Sequence, residues 1–348
     1  EAKVLSFLVH NCKHIMMILK RSLALLFAFQ TAKSFPLAKS SLKCDSKLLM
    51  STATTFTEAV SEAASKSLGR KVELVATSGG GFSGGGGAST SALMDKETNT
   101  KYFLKSARNG YDMLRAEYEG VKAMSDTGTI QVPTPIAFGE FEKNGQAFAL
   151  FEYLEFCGGG SQFELGKKLA QMHRHTSDKG FGFHIDNTIG ATPQPNSWEE
   201  TWPEFWDKHR LGHMLKLTGN AGLAKDKVEK LRAKTKELLS HNPAPSIIHG
   251  DLWGGNKAFC KKDGRAIPVI FDPATYYGDR EADVAMTYVF GGFSSDFYDG
   301  YNSEWPLPEG HEKRRTVYNL YHILNHDVLF GGGYLRQAQG MIDQILRS

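Results

Sequence analysis

The chain has little cysteine, almost no net charge and no long apolar run. Its 348 residues include four cysteines, Cys12, Cys44, Cys157 and Cys260. Their spacing suits neither a disulfide framework nor a zinc site, so a reducing compartment is the default expectation. The formal charge is +3, but residues 1–50 carry eight of the 41 basic residues and only two of the 38 acids, which leaves the rest at net −3. That balance gives the body no basic surface for nucleic acid. The apolar runs are too short for stable membrane insertion. No Gly-Lys-Ser/Thr follows the glycine-rich stretch at 78–89, which excludes a Walker A loop there. What is present, 41% hydrophobic and 23% charged residues, is an ordinary globular balance at a length that suits two lobes.

The first fifty residues do not read as fold. Lys20-Arg21 precedes the apolar run Leu23-Ala24-Leu25-Leu26-Phe27-Ala28-Phe29, and small and polar residues follow through Thr31-Ala32-Lys33-Ser34. This is the layout of a signal peptide. Residues 33–55 are then rich in Lys, Ser and Thr with a single acid, as transit peptides are. The combination resembles the bipartite plastid presequence of algae with complex plastids. It predicts a targeting segment over 1–54, translation from Met16 or Met17, and a plastid location, with the cytoplasm or the secretory pathway as alternatives.

The chemistry is concentrated in Ile247-Ile248-His249-Gly250-Asp251-Leu252-Trp253-Gly254-Gly255-Asn256, followed by Val269-Ile270-Phe271-Asp272-Pro273-Ala274. Two apolar runs each deliver an aspartate, and an asparagine stands five positions after the first. This is the arrangement of a phosphotransferase catalytic loop and its metal-binding aspartate. Asp251 is expected to accept the proton of an attacking hydroxyl. Asn256 and Asp272 are expected to hold Mg²⁺ on the phosphates of ATP, because a small hard cation needs oxygen ligands. Trp253 and His249, in the same loop, are the candidates to face the acceptor.

Upstream, an ordered series supports the same reading. Residues 57–68 have helical spacing, and Val72 to Val75 alternate as a strand. Ser78 to Ser89 is dominated by glycine, which lets backbone N–H groups approach phosphate. Gly80 and Gly81 are candidate phosphate contacts, although a flexible linker has the same composition. Lys105 ends the next strand, Thr100–Lys105, where kinase-like folds carry the lysine that meets the α/β-phosphates. The helix Asp112–Met124 offers Glu117 as its ion-pair partner, with Glu119 as competitor on another face. Phe148–Leu154 is a buried strand running into a connector whose residues Glu152, Tyr153 and Leu154 are the candidates to bind adenine.

Past this connector, Phe163 to Thr176 reads as a helix with His173 on its apolar stripe, packed more readily than ligating. Ala221 to His241 reads as a lysine-rich surface helix. Leu165-Gly166, Leu169-Ala170, Met172-His173-Arg174, Phe181-Gly182-Phe183, Asp186-Asn187-Thr188-Ile189-Gly190, Pro193-Gln194-Pro195-Asn196, Trp198, Trp202, Phe205 and Arg210 then precede the catalytic loop. Tyr277-Gly278-Asp279-Arg280-Glu281-Ala282-Asp283, Phe290-Gly291-Gly292-Phe293 and the tail from Tyr318 through Asn325-His326 to Gly333-Tyr334 follow it. Over roughly residues 57–345 the chain closely resembles the fructosamine/ketosamine-3-kinase family. Aminoglycoside- and choline-kinase-like proteins share only the His-Gly-Asp and the second Asp.

The resemblance implies an α+β, protein-kinase-like two-lobed fold, with a small β-rich N-lobe over 55–154 and a larger, mainly helical C-lobe over 155–348. It implies ATP-dependent phosphorylation at O3 of ketoamines, on proteins or as small-molecule ketosamines, and release of the amine from an unstable product. It also implies that Asp283 anchors the catalytic loop by hydrogen bonding. Phe181, Phe183, Trp198 and Trp202 could offer stacking surface to the sugar or pack the C-lobe core. An aminoglycoside- or choline-kinase-like phosphotransferase is the alternative. The glycine stretch is longer than the family usually shows, and the presequence lies outside its pattern.

Overall fold

The structure, a computed structural model, describes residues 53–83 and 87–348, with backbone alone for 78–83. All but the last two residues of the expected presequence therefore lie outside the described residues. Helix α1 (Phe56–Leu68) opens on a capping box. The Thr55 hydroxyl accepts the N–H of Glu58, and the Glu58 carboxylate accepts the N–H of Thr55 at 3.0 Å.

An antiparallel sheet follows, from β1 (Leu74–Ser83), β2 (Ser89–Asp95), β3 (Lys101–Arg108), β4 (Pro135–Phe141) and β5 (Gln146–Glu152), in the order β1-β2-β3-β5-β4. Helix α2 (Tyr111–Ser125) connects β3 to β4. The near-continuous apolar run of β5 has a simple cause, since a strand covered on both faces has no polar side. Phe148 and Leu150 pack toward Val60 and Ala64 of α1. Ala147, Ala149 and Phe151 pack toward Leu114, Val121 and Met124 of α2. That second core continues through Leu165, Leu169, Ile247, Leu252 and Phe297, so it runs from the sheet into the helical region.

The remainder is mainly helical: α3 (Gln162–His173), α4 (Trp202–Phe205), α5 (Gly212–Leu217), α6 (Lys225–Leu238), α7 (Arg280–Met286), α8 (Ser295–Glu304), α9 (His311–Phe330) and α10 (Tyr334–Arg347). A π-helical turn, Trp206–Leu211, joins α4 to α5. Short strands are threaded between: β6 (Phe156–Cys157), β7 (Asn187–Ile189), β8 (Thr192–Gln194), β9 (Ser246–Ile248), β10 (Lys257–Lys262), β11 (Arg265–Ile270) and β12 (Tyr276–Gly278). A sheet of β11-β10-β6 and the pair β12-β9 carry the catalytic segments. Among the described residues no helix is long and apolar enough to cross a membrane.

Two sequence expectations are revised here. The glycine stretch is not wholly a loop, because β1 stays paired to β2 as far as Ser83, after a register shift between Ala76 and Gly81. The lysine-rich helix is shorter than 221–241, and it buries Leu231 and Thr235 beneath its charged face.

Candidate active site

Strand β9 is buried along its length and delivers His249 at its end. The next turn is held from beneath by Asp283, at the N-terminal end of α7. One Asp283 oxygen accepts the His249 N–H at 2.6 Å and the other accepts the Gly250 N–H at 2.8 Å. His173 Nε2 donates to the same carboxylate at 3.1 Å, and its Nδ1 meets the Tyr301 hydroxyl at 2.8 Å. Arg280 in turn donates to that hydroxyl at 3.1 Å. Burial alone would raise the Asp283 pKa, but the His173 and backbone N–H bonds outweigh it and hold it below the usual value. His173 is thus a packed, hydrogen-bonded histidine.

His249 is fully buried. Its Nε2 donates to the Phe271 carbonyl at 2.9 Å and its Nδ1 accepts the Asp251 N–H at 3.2 Å. Both ring nitrogens are used inside the loop, so the ring has no edge left for an acceptor; this departs from the role its place in the motif suggested. Trp253 is different, being 40% exposed.

Asp251 sits at the mouth of this turn. Burial pushes its pKa up to about 8, the charges of Asp272 and Asp283 add to the rise, and a hydrogen bond from Asn256 opposes it. Asn256 Nδ2 donates to the Asp251 carbonyl at 2.9 Å, to the Asp251 carboxylate at 3.3 Å and to the Asp272 carbonyl at 3.3 Å. None of these bonds uses Oδ1, the atom an asparagine offers to a cation. Asp272 follows β11 with φ +55°, a left-handed conformation that aspartate tolerates better than most residues. Its side chain is half exposed. The half-exposed Asp272 carboxylate and the free Asn256 amide oxygen, whose amide nitrogen bonds the Asp272 backbone, are the hard donors Mg²⁺ takes, so the residues fit that ion.

Lys105 projects from β3 between the two halves of the site. Its Nζ lies 2.6 Å from Glu117 and 2.7 Å from Asp272. Burial disfavours the ammonium, yet the two carboxylates raise its pKa on balance. Glu119 lies on another face of α2, 3.7 Å from His184, so helix geometry separates the two candidates.

Glu152, Tyr153 and Leu154 lie where β5 leaves the sheet. Glu152 is tied back by its N–H to the Thr134 carbonyl at 2.8 Å and by its carboxylate to the Thr134 hydroxyl at 2.6 Å. Beside this connector, Phe156 stacks on Phe271 at 5.3 Å. Gly80 and Gly81 fall within β1 near the tip of the β1–β2 hairpin; residues 84–86 at that tip lie outside the described residues.

The segment 181–210, whose aromatics could have offered a stacking surface to the sugar, turns largely inward. Phe181, Phe183 and Trp202 are buried in the helical core. Asn187 Nδ2 donates to the Thr275 carbonyl at 2.8 Å, and Gln194 Nε2 donates to Asn187 at 2.7 Å and to the Ala274 carbonyl at 3.1 Å. The block therefore braces the turn that follows Asp272. Arg210 is buried as well, with its guanidinium 3.8 Å from the Tyr276 ring centre and bonded to Asn196 at 2.7 Å. Sequence reasoning missed this bracing role, since a buried amide with partners reads like an exposed one. In a second cluster of possible ligands, His241, Asp279 and Glu281, the two carboxylates are already paired within the fold. Glu281 pairs with Arg314 at 2.7 Å, and Asp279 accepts from Tyr318 and caps α7.

The chain is similar to several known proteins. A family model described as fructosamine kinase matches residues 57–348. A protein of Synechocystis named as a ketoamine kinase is 47% identical over 252 residues, 71% of this chain and 83% of the relative. A rice protein named protein-ribulosamine 3-kinase, chloroplastic, is 44% identical over 265 residues, 74% of this chain and 76% of the relative. A crystal structure titled as a fructosamine-3-kinase from Haemophilus somnus superposes with a TM-score of 0.72 at 29% identity, covering 82% of this chain and 96% of the other.

Proposed function

The chain belongs to the fructosamine kinase family, and from that premise we propose that it is an ATP-dependent ketosamine-3-kinase that phosphorylates O3 of ketoamines and so initiates release of the amine. One observation carries the reading. Lys105 joins Glu117 and Asp272 on the nucleotide side, while Asn256 joins Asp272 to Asp251 on the acceptor side. A nucleotide site and a candidate base are thereby linked within one hydrogen-bonded unit.

Each residue has a task in this proposal. Lys105, oriented by Glu117, meets the α/β-phosphates, and the β1–β2 hairpin with Gly80 and Gly81 covers them. Glu152, Tyr153 and Leu154 line the adenine. Asp272 and Asn256 would hold Mg²⁺, whose charge would offset that building on the transferred phosphoryl group. Asp251 accepts the proton of the sugar hydroxyl. A base with a raised pKa is better matched to that task near neutral pH than an ordinary aspartate. Trp253 offers the sugar an apolar face.

The rice relative's name and the basic, Ser/Thr-rich layout of residues 1–55 support a plastid location. The catalytic proposal is tested by measuring ATP consumption with ribulosyl-lysine, fructosyl-lysine, an aminoglycoside and choline. Turnover confined to the ketoamines is expected; turnover of choline or the aminoglycoside alone would favour the alternative.

A further inference from the structure

Trp253 and Phe290 are large aromatic side chains that the fold leaves open, 40% and 41% exposed, beside the catalytic loop. Trp253 stands two residues after Asp251, and its ring packs against Gly255, where a Cβ would come within 2.2 Å of it. Phe290 begins the segment Phe290-Gly291-Gly292-Phe293, which is strapped onto the same loop. Gly291 and Gly292 have φ of +73° and +94°. A Cβ on Gly254 would meet the Gly291 carbonyl at 2.7 Å, and one on Gly292 would meet the Gly254 Cα at 3.0 Å. Backbone thus touches backbone, and the strap holds Phe290 edge-on to Trp253, ring centres 6.2 Å apart at 78°. Behind Phe290 stands the His326 ring at 4.7 Å, and exposed Phe330 lies 5.5 Å beyond it.

Two open rings meeting nearly at right angles make the corner of an aromatic cage, which attracts a cation through the ring faces. The other end of the strap already does this, for Lys257 Nζ lies 5.4 Å from the Phe293 ring centre. Burial keeps the His326 imidazole below its usual pKa, so at neutral pH the row adds no positive charge of its own. A ketoamine differs from a plain ketose by the secondary ammonium on C1, a few bonds from O3. With O3 at Asp251, that nitrogen falls beside the catalytic loop.

Resting on the reading of the enzyme as a ketoamine kinase, we propose that Phe290, held by its strap against Trp253, is a specificity-determining residue that recognises the ketoamine's ammonium group. The row through His326 and Phe330 receives the carbon chain that the nitrogen carries.

The test compares fructosyl- or ribulosyl-lysine with the isosteric ether, in which oxygen replaces the nitrogen, using wild type, Phe290→Ala, Phe290→Leu and Phe290→Tyr. The ratio of kcat/KM for amine over ether should fall about tenfold in both Phe290→Ala and Phe290→Leu, within the range a cation–π contact supports. It should return in Phe290→Tyr, with KM for ATP near the wild-type value throughout. Phe290→Leu keeps apolar bulk and guards against a folding artefact. An unchanged ratio in Phe290→Leu overturns the proposal and leaves the enzyme assignment standing. Failure of the wild type to phosphorylate any ketoamine overturns the assignment and the proposal together.

Discussion

Asp283 accepts the backbone N–H of Gly250 at 2.8 Å, one residue before Asp251. The candidate base is therefore positioned through its backbone by a buried carboxylate. Asp283→Asn replaces an acceptor of three hydrogen bonds with a group that brings two donors of its own. It should cost roughly 1.5–3 kcal/mol, the scale of a hydrogen bond to a charged group, and should lower kcat more than it alters the KM for ATP. The folded Asp283 pKa is depressed, so its contribution is present above the unfolded value near 3.9 and is lost as pH falls through the folded value. Denaturant titrations at pH 6 and pH 3 should show the wild type losing more stability than the variant between them. Equal losses would contradict the anchoring role.

Asp251→Asn should lower kcat by about 10²-fold or more while the protein stays folded and binds nucleotide, since general-base catalysis contributes on that scale. The same change should stabilise the nucleotide-free protein at neutral and alkaline pH. The folded pKa is about 8 against roughly 3.9 unfolded, so the stability of the protonated carboxyl is lost as pH rises through that window. The variant escapes this loss. Its melting temperature should clearly exceed wild type at pH 8, because each unit between the folded and unfolded pKa is worth about 1.4 kcal/mol, with little difference at pH 4.

For the metal ligands, Asp272→Ala should abolish Mg²⁺-dependent ATP binding in a calorimetric titration, and Asn256→Ala should weaken it less, because a neutral amide attracts a cation less than a carboxylate does. Wild-type Mg²⁺-ATP affinity in Asp272→Ala would refute the assignment.

Gly120 lies one helical turn beyond Glu117, where α2 approaches the turn after Asp272. A Cβ there would stand 3.1 Å from the Thr275 side chain. Gly120→Val should push α2 outward and loosen the Lys105–Glu117 pair, at a packing cost of about 1–3 kcal/mol. A KM for ATP raised several-fold in a protein that still melts cooperatively is the expected result. An unchanged KM would show that the close approach does not set the ion pair.

Deletion of residues 1–50 should leave activity and thermal stability intact, since α1 and its Thr55 cap lie beyond them. A fluorescent protein fused behind residues 16–55 should enter the plastid. A fusion that stays in the cytosol would remove the targeting proposal.

Much of the candidate site was legible because its chemistry demands particular residues at fixed intervals along one loop. Asp251, Asn256 and Asp272 are of this kind, and so is Lys105 on its strand, although β3 runs on to Arg108 rather than ending at the lysine. Glu117 could be preferred to Glu119 only as a choice between helix faces, which the distances now separate. The polar residues of 181–210 were hardest to place. Asn187 and Gln194 serve from the inside, and composition does not distinguish an amide bonded to a carbonyl in the core from one reaching for a sugar. Phe290 stood out only as part of the family resemblance, because its placement beside Trp253 depends on glycine backbones meeting between segments far apart in the chain.

The most direct test of the account is the position of the transferred phosphoryl group. The purified protein, incubated with ATP, Mg²⁺ and fructosyl- or ribulosyl-lysine, should give a single phosphate monoester whose ³¹P resonance couples to the proton on C3, followed by release of free lysine. A phosphate on any other hydroxyl, or no phosphorylated product beside a functional nucleotide site, would contradict it.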